Sequence, residues 1–580
     1  AGSISGVIRT KVAASAFAVD VVALNTAATA VETAFTGAVG VELVNAAGGG
    51  ACGAYPLIRD LGTLTFAAGD QGRKTLAGIG EPEAWPNVRV RMRFPATGTA
   101  TVVACSNDNL AIRPASFGGV MARDFDSVTA FSPPPSSLRT LANVAVTGGT
   151  VHKAGRPFQI EATARNAAGA ATANYVGTPV ASATVCLLPA AGCTLGVLAP
   201  GAWSAASGVL TTSTASYSEA GAFAMKLTDT SFAAVDAADG SSAAEMTIES
   251  AAVNVGRFVP DHFVLTRAST PQFKTFNDPT CAARSFTYAG QPFGYLTVPE
   301  ATITAKNAAG ATTLNYAGAL WKLVPAGSVQ VHTPVTGGLD IGLLGAPTVT
   351  ASGSGVGTLA ANAADEIAFV RTTPVAPFLA DISLSMSIQD IAEGGVTGNG
   401  TIDTLTPAVF SSIAFDAGNE IRFGQLVLSN AHGSELLGLP VPLEARFWNG
   451  TGFILGTPLT ADSCTQIAAA KVMLANWQRD LDACDTSVSL SGRFNAGRGN
   501  LRFSAPGAGN TGSVNMTLQL GATATGTTCV ANAVTPASAA SQSWLQGRSS
   551  SGVYNQNPAA RASFGLHRGS KPLIYLREMH

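Results

Sequence analysis

Charge is scarce in this chain: Asp, Glu, Lys and Arg make up 12% of its 580 residues, and the formal net charge is −2. That is about half the usual charged share. A nucleic-acid or anionic-membrane partner would call for a concentrated Lys/Arg face, which this balance excludes. Long apolar runs are also missing. No uncharged stretch approaches the ~18 residues that cross a bilayer, so no transmembrane segment is expected. The start at Ala1, without a Met or a charged-then-apolar leader, is not a signal peptide and reads as a mature or trimmed segment of a longer exported protein. None of the cysteines forms a C-x-x-C pair, which argues against metal knuckles and thioredoxin-like chemistry. The six histidines, His152, His262, His332, His432, His567 and His580, stand one by one without i,i+2 or i,i+4 partners, so their spacing builds no zinc site. There is no G-x-S-x-G elbow to anchor a hydrolase triad. No cofactor is expected.

What is present is β-sheet chemistry. Hydrophobic residues are 46% of the chain, too many for disorder, and 63 glycines and 30 prolines supply turns. Period-two alternation marks strands at Phe17 to Leu24, Val39 to Val44, Val88 to Phe94, Phe158 to Ala164, Phe223 to Leu227, Ile382 to Ile388 and Val514 to Leu520. Only Gln466 to Asp482 reads helically, and within it Val472 to Leu481 fits a strand equally well.

One phrase recurs. Phe17-x-Val19-x-Val21-x-Ala23-x-Asn25 precedes Phe35-x-Gly37; Phe158-x-Ile160-x-Ala162-x-Ala164-x-Asn166 precedes Tyr175-x-Gly177; Ile303-x-Ala305-x-Asn307 precedes Tyr316-x-Gly318. Intervals of 141 residues separate Asn25 from Asn166 and Asn166 from Asn307. A period this long is a repeated domain, not a solenoid unit. The alternation implies immunoglobulin-like β-sandwiches, with Tyr217 before the late strand Phe223 to Leu227 as a corner tyrosine. The expected organisation is all-β: sandwiches over 1–117, 118–255 and 256–414, then a divergent C-terminal β-rich domain over 415–580. There Leu443-x-Ala445-x-Phe447-x-Asn449 faintly echoes the phrase. The three earlier asparagines are expected to mark equivalent turns.

Eight scattered cysteines favour disulfides and an oxidising compartment. Cys52 and Cys105 fall in the first unit, and Cys186 and Cys193 flank a short turn that a disulfide can staple. Cys281 belongs to the third unit, whereas Cys464, Cys484 and Cys529 follow residue 460. If all are oxidised, either one bond crosses between those units or two leave the chain. Recurring junction chemistry, at Arg113 before Pro114, at Arg257-Phe258 with Asp261, and at Arg422 before Phe423, suggests arginines wedged between neighbours. Ser132-Pro-Pro-Pro-Ser136 reads as a stiff loop or connector.

Other motifs carry less. Gly507-Ala-Gly509-Asn-Thr-Gly512 matches a dinucleotide-type glycine spacing, but a strand follows where a helix must begin, so it reads as a hairpin turn. Asp261 and His262 are adjacent on an extended segment and are expected to point apart, leaving an Arg257/Asp261 contact as the better expectation. Asp229, Asp236 and Asp239-Gly240 offer hard oxygens for calcium, although calcium-loop spacing is absent and a solvated loop is the stronger expectation. Among tail aromatics, Trp448 precedes an Asn-Gly turn and is the candidate ligand contact; core packing accounts for most of the others.

Taken together, Cys105-Ser-Asn-Asp-Asn-Leu-Ala-Ile-Arg-Pro114, Gly256-Arg-Phe-Val-Pro-Asp-His-Phe263, Arg422-Phe-Gly-Gln-Leu426, Gly433-Ser-Glu-Leu-Leu437, Pro440-Val-Pro-Leu-Glu-Ala445, Phe447-Trp-Asn-Gly450, Asn557 to Leu566 and Ile574-Tyr-Leu-Arg-Glu578 resemble the MshQ family of MSHA-type type IV pilus biogenesis proteins. The resemblance is densest from Gly256 onward. It implies an exported bacterial protein at the cell surface or on the pilus, with pilus or surface proteins as partners and no catalytic residues. The preferred expectation is a non-enzymatic extracellular stalk with an adhesive or anchoring C-terminal module. A carbohydrate-binding protein using tail aromatics such as Trp448 is the alternative, and a hydrolase set in a β array comes third.

Overall fold

The computed structural model describes residues 3–124, 138–393, 401–530 and 542–565. The Ser132 to Ser136 run, the Ile574 to Glu578 motif, His567 and His580 lie outside them. The described chain is all-β: four successive units of packed sheets, each with its own cluster of buried side chains.

Alternation drives the strands. Along Phe158–Arg165, Phe158, Ile160, Ala162 and Ala164 are all 0% exposed while the residues between them are half-buried. Ile382–Asp390 repeats the pattern. Each large side chain turned inward in this way contributes about 2 kcal/mol of transfer free energy, and the outward set stays wet.

In the second sandwich one sheet runs in the order Arg139–Thr140, Ser116–Asp124, Phe158–Arg165, Val209–Tyr217, Leu198–Ala199, and the facing sheet in the order His152–Lys153, Val253–Val259, Gly221–Asp229, Val180–Leu188. His152–Lys153 runs parallel to the end of Val253–Val259, while the long neighbours are antiparallel. Two antiparallel sheets closed by a short early strand beside the last strand is immunoglobulin-like architecture. Tyr217 ends its strand at the corner, and its hydroxyl accepts the Gly196 N–H at 2.9 Å.

The C-terminal domain, divergent in sequence, keeps this order. Gly424–Leu428, Leu439–Trp448, Arg498–Phe503 and Val488–Leu490 form one sheet. Ala431–Gly433, Ala559–Phe564, Gly512–Leu518 and Val472–Arg479 form the other, again with the short strand parallel to the last. The ambiguous Gln466 to Asp482 run resolves into a 3-10 turn, Ala469–Lys471, and the strand Val472–Arg479. Val472, Met473 and Leu474 are all buried, which blurs the period-two signal. The glycine run from Gly507 lies in the turn between Arg498–Phe503 and Gly512–Leu518.

The third sandwich differs. His262–Arg267 pairs antiparallel with Glu300–Lys306 and parallel with Ile402–Thr406, joining into one 8-stranded sheet what the second sandwich keeps as two. Between His262–Arg267 and Glu300–Lys306 an insertion builds a second sheet through Gln272–Phe273 and Phe293–Thr297. It also sends Phe286–Tyr288 to pair with Glu420–Arg422.

All three expected boundaries fall inside strands: the third cuts Ala414–Phe415, which pairs with Gln272–Phe273 of the third sandwich, so that sandwich runs past residue 414. Ser116–Asp124 belongs wholly to the second sandwich, so its start lies before residue 118; Val253–Val259 is that sandwich's last strand, so a break at 256 would cut its sheet. These displacements arise because backbone pairing partners, invisible in a single strand's pattern, decide where each unit begins.

Candidate functional site: the junctions between sandwiches

At the first junction Arg113, 9% exposed, ends the last strand of the first sandwich. Its Nη1 donates to the Pro114 carbonyl at 2.8 Å, and Nη2 and Nε donate to the carbonyls of Ala244 and Glu245 in the second sandwich. The repeated asparagine turn reaches back across the same seam. The Asn166 amide donates to the Pro82 carbonyl at 3.1 Å, the Ala167 N–H to the Ala13 carbonyl at 2.9 Å, and Asn174 Oδ1 accepts the Ala84 N–H at 2.9 Å.

The second junction repeats these contacts 141 residues on. Asn307 donates to the Ser218 carbonyl at 2.8 Å, the Ala308 N–H donates to the Ala154 carbonyl at 2.9 Å, and Asn315 donates to the Ala220 carbonyl at 3.0 Å. Meanwhile Asn166 Oδ1 and Asn307 Oδ1 close their own turns by accepting N–H groups two and four residues on. Each asparagine therefore shapes its loop with one side-chain atom and grips its neighbour with the other. Asn25 does not belong to this set. Its Oδ1 accepts from Thr29 and Ala30, four and five residues on, and its amide is spent on Thr29 Oγ1, so the 141-residue identity conceals a different, self-contained turn.

Arg257 is fully buried at the second junction. Its Nη2 meets both Glu393 carboxylate oxygens at 2.8 and 2.7 Å, and Nη1 donates to the Ala145 and Gly148 carbonyls. The expected Arg257/Asp261 contact does not form; Asp261 pairs instead with Arg156, Nε to Oδ1 at 2.5 Å. The expectation that Asp261 and His262 cannot meet also fails, since His262 Nδ1 lies 2.9 Å from Asp261 Oδ2. Strand alternation governs Cβ directions, but Asp261 precedes the strand His262–Arg267 and its carboxylate is free to curl back. Burial pushes the Asp261 carboxyl up, but the Arg156 and His262 hydrogen bonds outweigh it and hold the group below the ordinary carboxylate range. Phe258 is 1% exposed and packs on Phe158, Tyr217 and Phe223, a core residue of the second sandwich and not a wedge.

The third junction is the most heavily tied. The Cys281–Cys464 disulfide crosses from the third sandwich's insertion to the fourth sandwich. Arg422 lies between two rings, 4.0 Å from the Phe286 centroid and 4.4 Å from that of Phe447, and also donates to Glu420 and the Thr460 carbonyl. Such stacking uses the planar guanidinium and its weak hydration. Arg371 covers Phe423 at 4.5 Å and donates to the carbonyls of Tyr554, Gly424 and Gln546; burial pushes its guanidinium down to about 10. The Tyr288 hydroxyl donates to Asp462 at 2.9 Å.

Each downstream core borrows side chains from upstream. Ala84 enters the second core, Val151, Ala220 and Val259 enter the third, and Phe276, Phe286 and Tyr288 enter the fourth. The junctions are continuations of hydrophobic cores, unlike the polar seams that let domains swivel.

The remaining cysteines pair as Cys52–Cys105, Cys186–Cys193 and Cys484–Cys529, so all eight are oxidised. Trp448 is half-buried, edge-on to Phe453 with centroids 5.3 Å apart, and its backbone N–H donates to the Phe423 carbonyl. A shallow groove of ≈ 630 Å³ opens beside the crossing disulfide, lined among others by Phe276, Gln291, Gln466, Gln542 and Trp544. Trp448 is not among its lining residues. Glu393, Arg371 and Tyr288 escaped the sequence reading. Glu393 lies 136 residues from its partner, a distance at which no spacing rule operates.

Comparison with known families returns two matches. Residues 219–410 match the family model described as DUF6701, third domain, and residues 422–579 match that of DUF6701, fourth domain. The matched stretches follow one another and divide at the third junction. Among curated proteins none matches the chain. Among solved structures, a mutant alpha-2-macroglobulin from Salmonella aligns with 88% of this chain and 38% of its own at 9% identity, with a TM-score of 0.13. The chain thus spans well under half of that structure's length, and a likeness at this level carries no argument.

Proposed function

We propose that this chain is a non-enzymatic extracellular stalk associated with MSHA-like type IV pili at the bacterial surface, with the fourth sandwich as its anchoring or adhesive module. The observation that carries the reading is the construction of the junctions. Buried ion pairs, asparagine clasps and shared cores tie each sandwich to the one before it, a design suited to holding a terminal module at a fixed distance. Four disulfides support an oxidising compartment, and among the described residues no helix is long and apolar enough to cross a membrane. The pilus association rests on the motif resemblance around Gly256 to Phe263 and Arg422 to Gly450. The test is fractionation of the native host. The chain should co-purify with sheared pili or the outer surface, and confinement to the cytoplasm would refute the proposal.

A glycan-binding role for the fourth module is the second reading, favoured by the groove lined by Trp544 and the side-chain amides of Gln291, Gln466 and Gln542. Glycan-array binding that is weakened by Trp544→Ala but not by Trp448→Ala would support it.

A further inference from the structure

We propose that the edge strand Ser328–Pro334 of the third sandwich pairs, antiparallel and about a two-fold axis at Val331, with the same strand of a second copy of this chain. The strand closes one end of the 8-stranded sheet. It pairs residue for residue with Ile382–Asp390, from Ser328 opposite Ile388 to Pro334 opposite Ile382, without a register shift. Among the described residues no strand pairs with its other side. The main-chain N–H and C=O groups on that side are a template for a further strand.

Sheet edges elsewhere in the molecule are blunted. Among described edge strands of comparable or greater length, Phe17–Val22, Leu57–Phe66, Val180–Leu188, Thr348–Gly353 and Val472–Arg479 all carry a register shift in their pairing, and Arg73–Ile79 carries Arg73 and Lys74. Shifts and charges of this kind keep an edge from recruiting another strand. Ser328–Pro334 has neither, and its proline stands at the last position.

The side chains fit the strand to itself. Its alternation is inverted: Val329 and Val331 face outward, 55% and 50% exposed, while Gln330 and His332 face into the sandwich. Behind the edge the outer face continues flat and uncharged through Ser385, opposite Val331, to Val409, opposite Ser385 and 47% exposed. An antiparallel pair centred on Val331 sets Val329 of one copy opposite Thr333 of the other, β-branched side chains on both sides with no like charges facing. It also sets Gln330 opposite His332 of the second copy. Gln330 Oε1 and His332 Nδ1 are both buried without a hydrogen-bond partner. The Tyr295 hydroxyl lies 2.6 Å from His332 Nε2; when it donates there, Nδ1 carries the hydrogen, and the amide oxygen opposite is the acceptor it lacks. A strand without that Gln/His pair satisfies the backbone and leaves both atoms orphaned, so the matching occupant is a second copy.

The test is sedimentation velocity of the full oxidised chain over a concentration series reaching roughly 100 μM. It is run beside Val331→Lys, which sets two like charges on the two-fold axis, and the control Leu459→Lys, at a position 94% exposed on the fourth sandwich. Wild type and control should form a reversible dimer, and Val331→Lys should weaken it by at least roughly tenfold. Register is read by Val331→Cys, which should cross-link two copies under mild oxidation, whereas Thr350→Cys, on the opposite edge strand, should not. If Val331→Lys does not fold, the cross-link decides alone. A wild-type chain that stays monomeric throughout the series overturns the proposal. So does a dimer that folded Val331→Lys leaves intact, or one that Thr350→Cys links as readily as Val331→Cys.

Discussion

Arg257 and Glu393 form a two-pronged ion pair, 2.8 and 2.7 Å, whose side chains are 1% and 4% exposed, between the second and third sandwiches. Removing one partner strands the other's charge in a dry seam. Arg257→Ala or Glu393→Gln should each cost about 3–5 kcal/mol in chemical denaturation, and the double variant much less than their sum. Additive losses would show that the two residues act independently.

The asparagine clasps make a graded prediction. Asn166→Ala and Asn307→Ala each delete one hydrogen bond across a junction and two within a turn, at about 1–3 kcal/mol. Asn25→Ala deletes only local bonds at an exposed turn and should cost about 1 kcal/mol or less. Small-angle scattering should also show the two junction variants sampling a broader range of lengths, with Asn25→Ala unchanged.

For the third junction, non-reducing digestion and mass spectrometry should recover a Cys281–Cys464 peptide pair. Replacing both cysteines by serine should destabilise the chain by about 2–5 kcal/mol and raise hydrogen exchange on both sides of the junction. Arg422→Lys, which keeps the charge but loses the plane stacked between Phe286 and Phe447, should cost about 1–2 kcal/mol.

Acid should loosen the second junction through Asp261. Its folded carboxyl titrates below its unfolded value, because the Arg156 and His262 hydrogen bonds outweigh the opposing effect of burial. The stability it adds is therefore complete above the unfolded value, about pH 4, and is lost as pH falls through the folded one. Unfolding temperature measured from neutral pH into acid should fall more steeply for wild type than for Asp261→Asn.

Strands were legible because each carries its evidence locally: Phe158 to Ala164 alternates whatever surrounds it. Junction residues were legible only as types. Arg113, Arg257 and Arg422 stood out beside Pro and aromatics, and all three do lie at seams, but Arg257's partner was misassigned because nearness in sequence stood in for nearness in space. Cysteine parity narrowed the pairing to one crossing bond or two leaving the chain, and only the insertion carrying Cys281 beside Cys464 decides for the crossing. The identical spacing of Asn25 misled for a related reason. A shared position preserves register, whereas its chemistry depends on turn length, and the first turn is longer.

The borrowing of core residues runs in one direction: Ala84 serves the second core, Val259 the third, Phe286 the fourth. A chain emerging N-terminus first would thus have each missing piece already in place when the next sandwich collapses, so that maturation proceeds like a zip closing in the order of emergence. Lost upstream packing is inherited downstream, and a defect in the fourth sandwich bares the Phe276, Phe286 and Tyr288 side chains that the third sandwich's insertion lends to it.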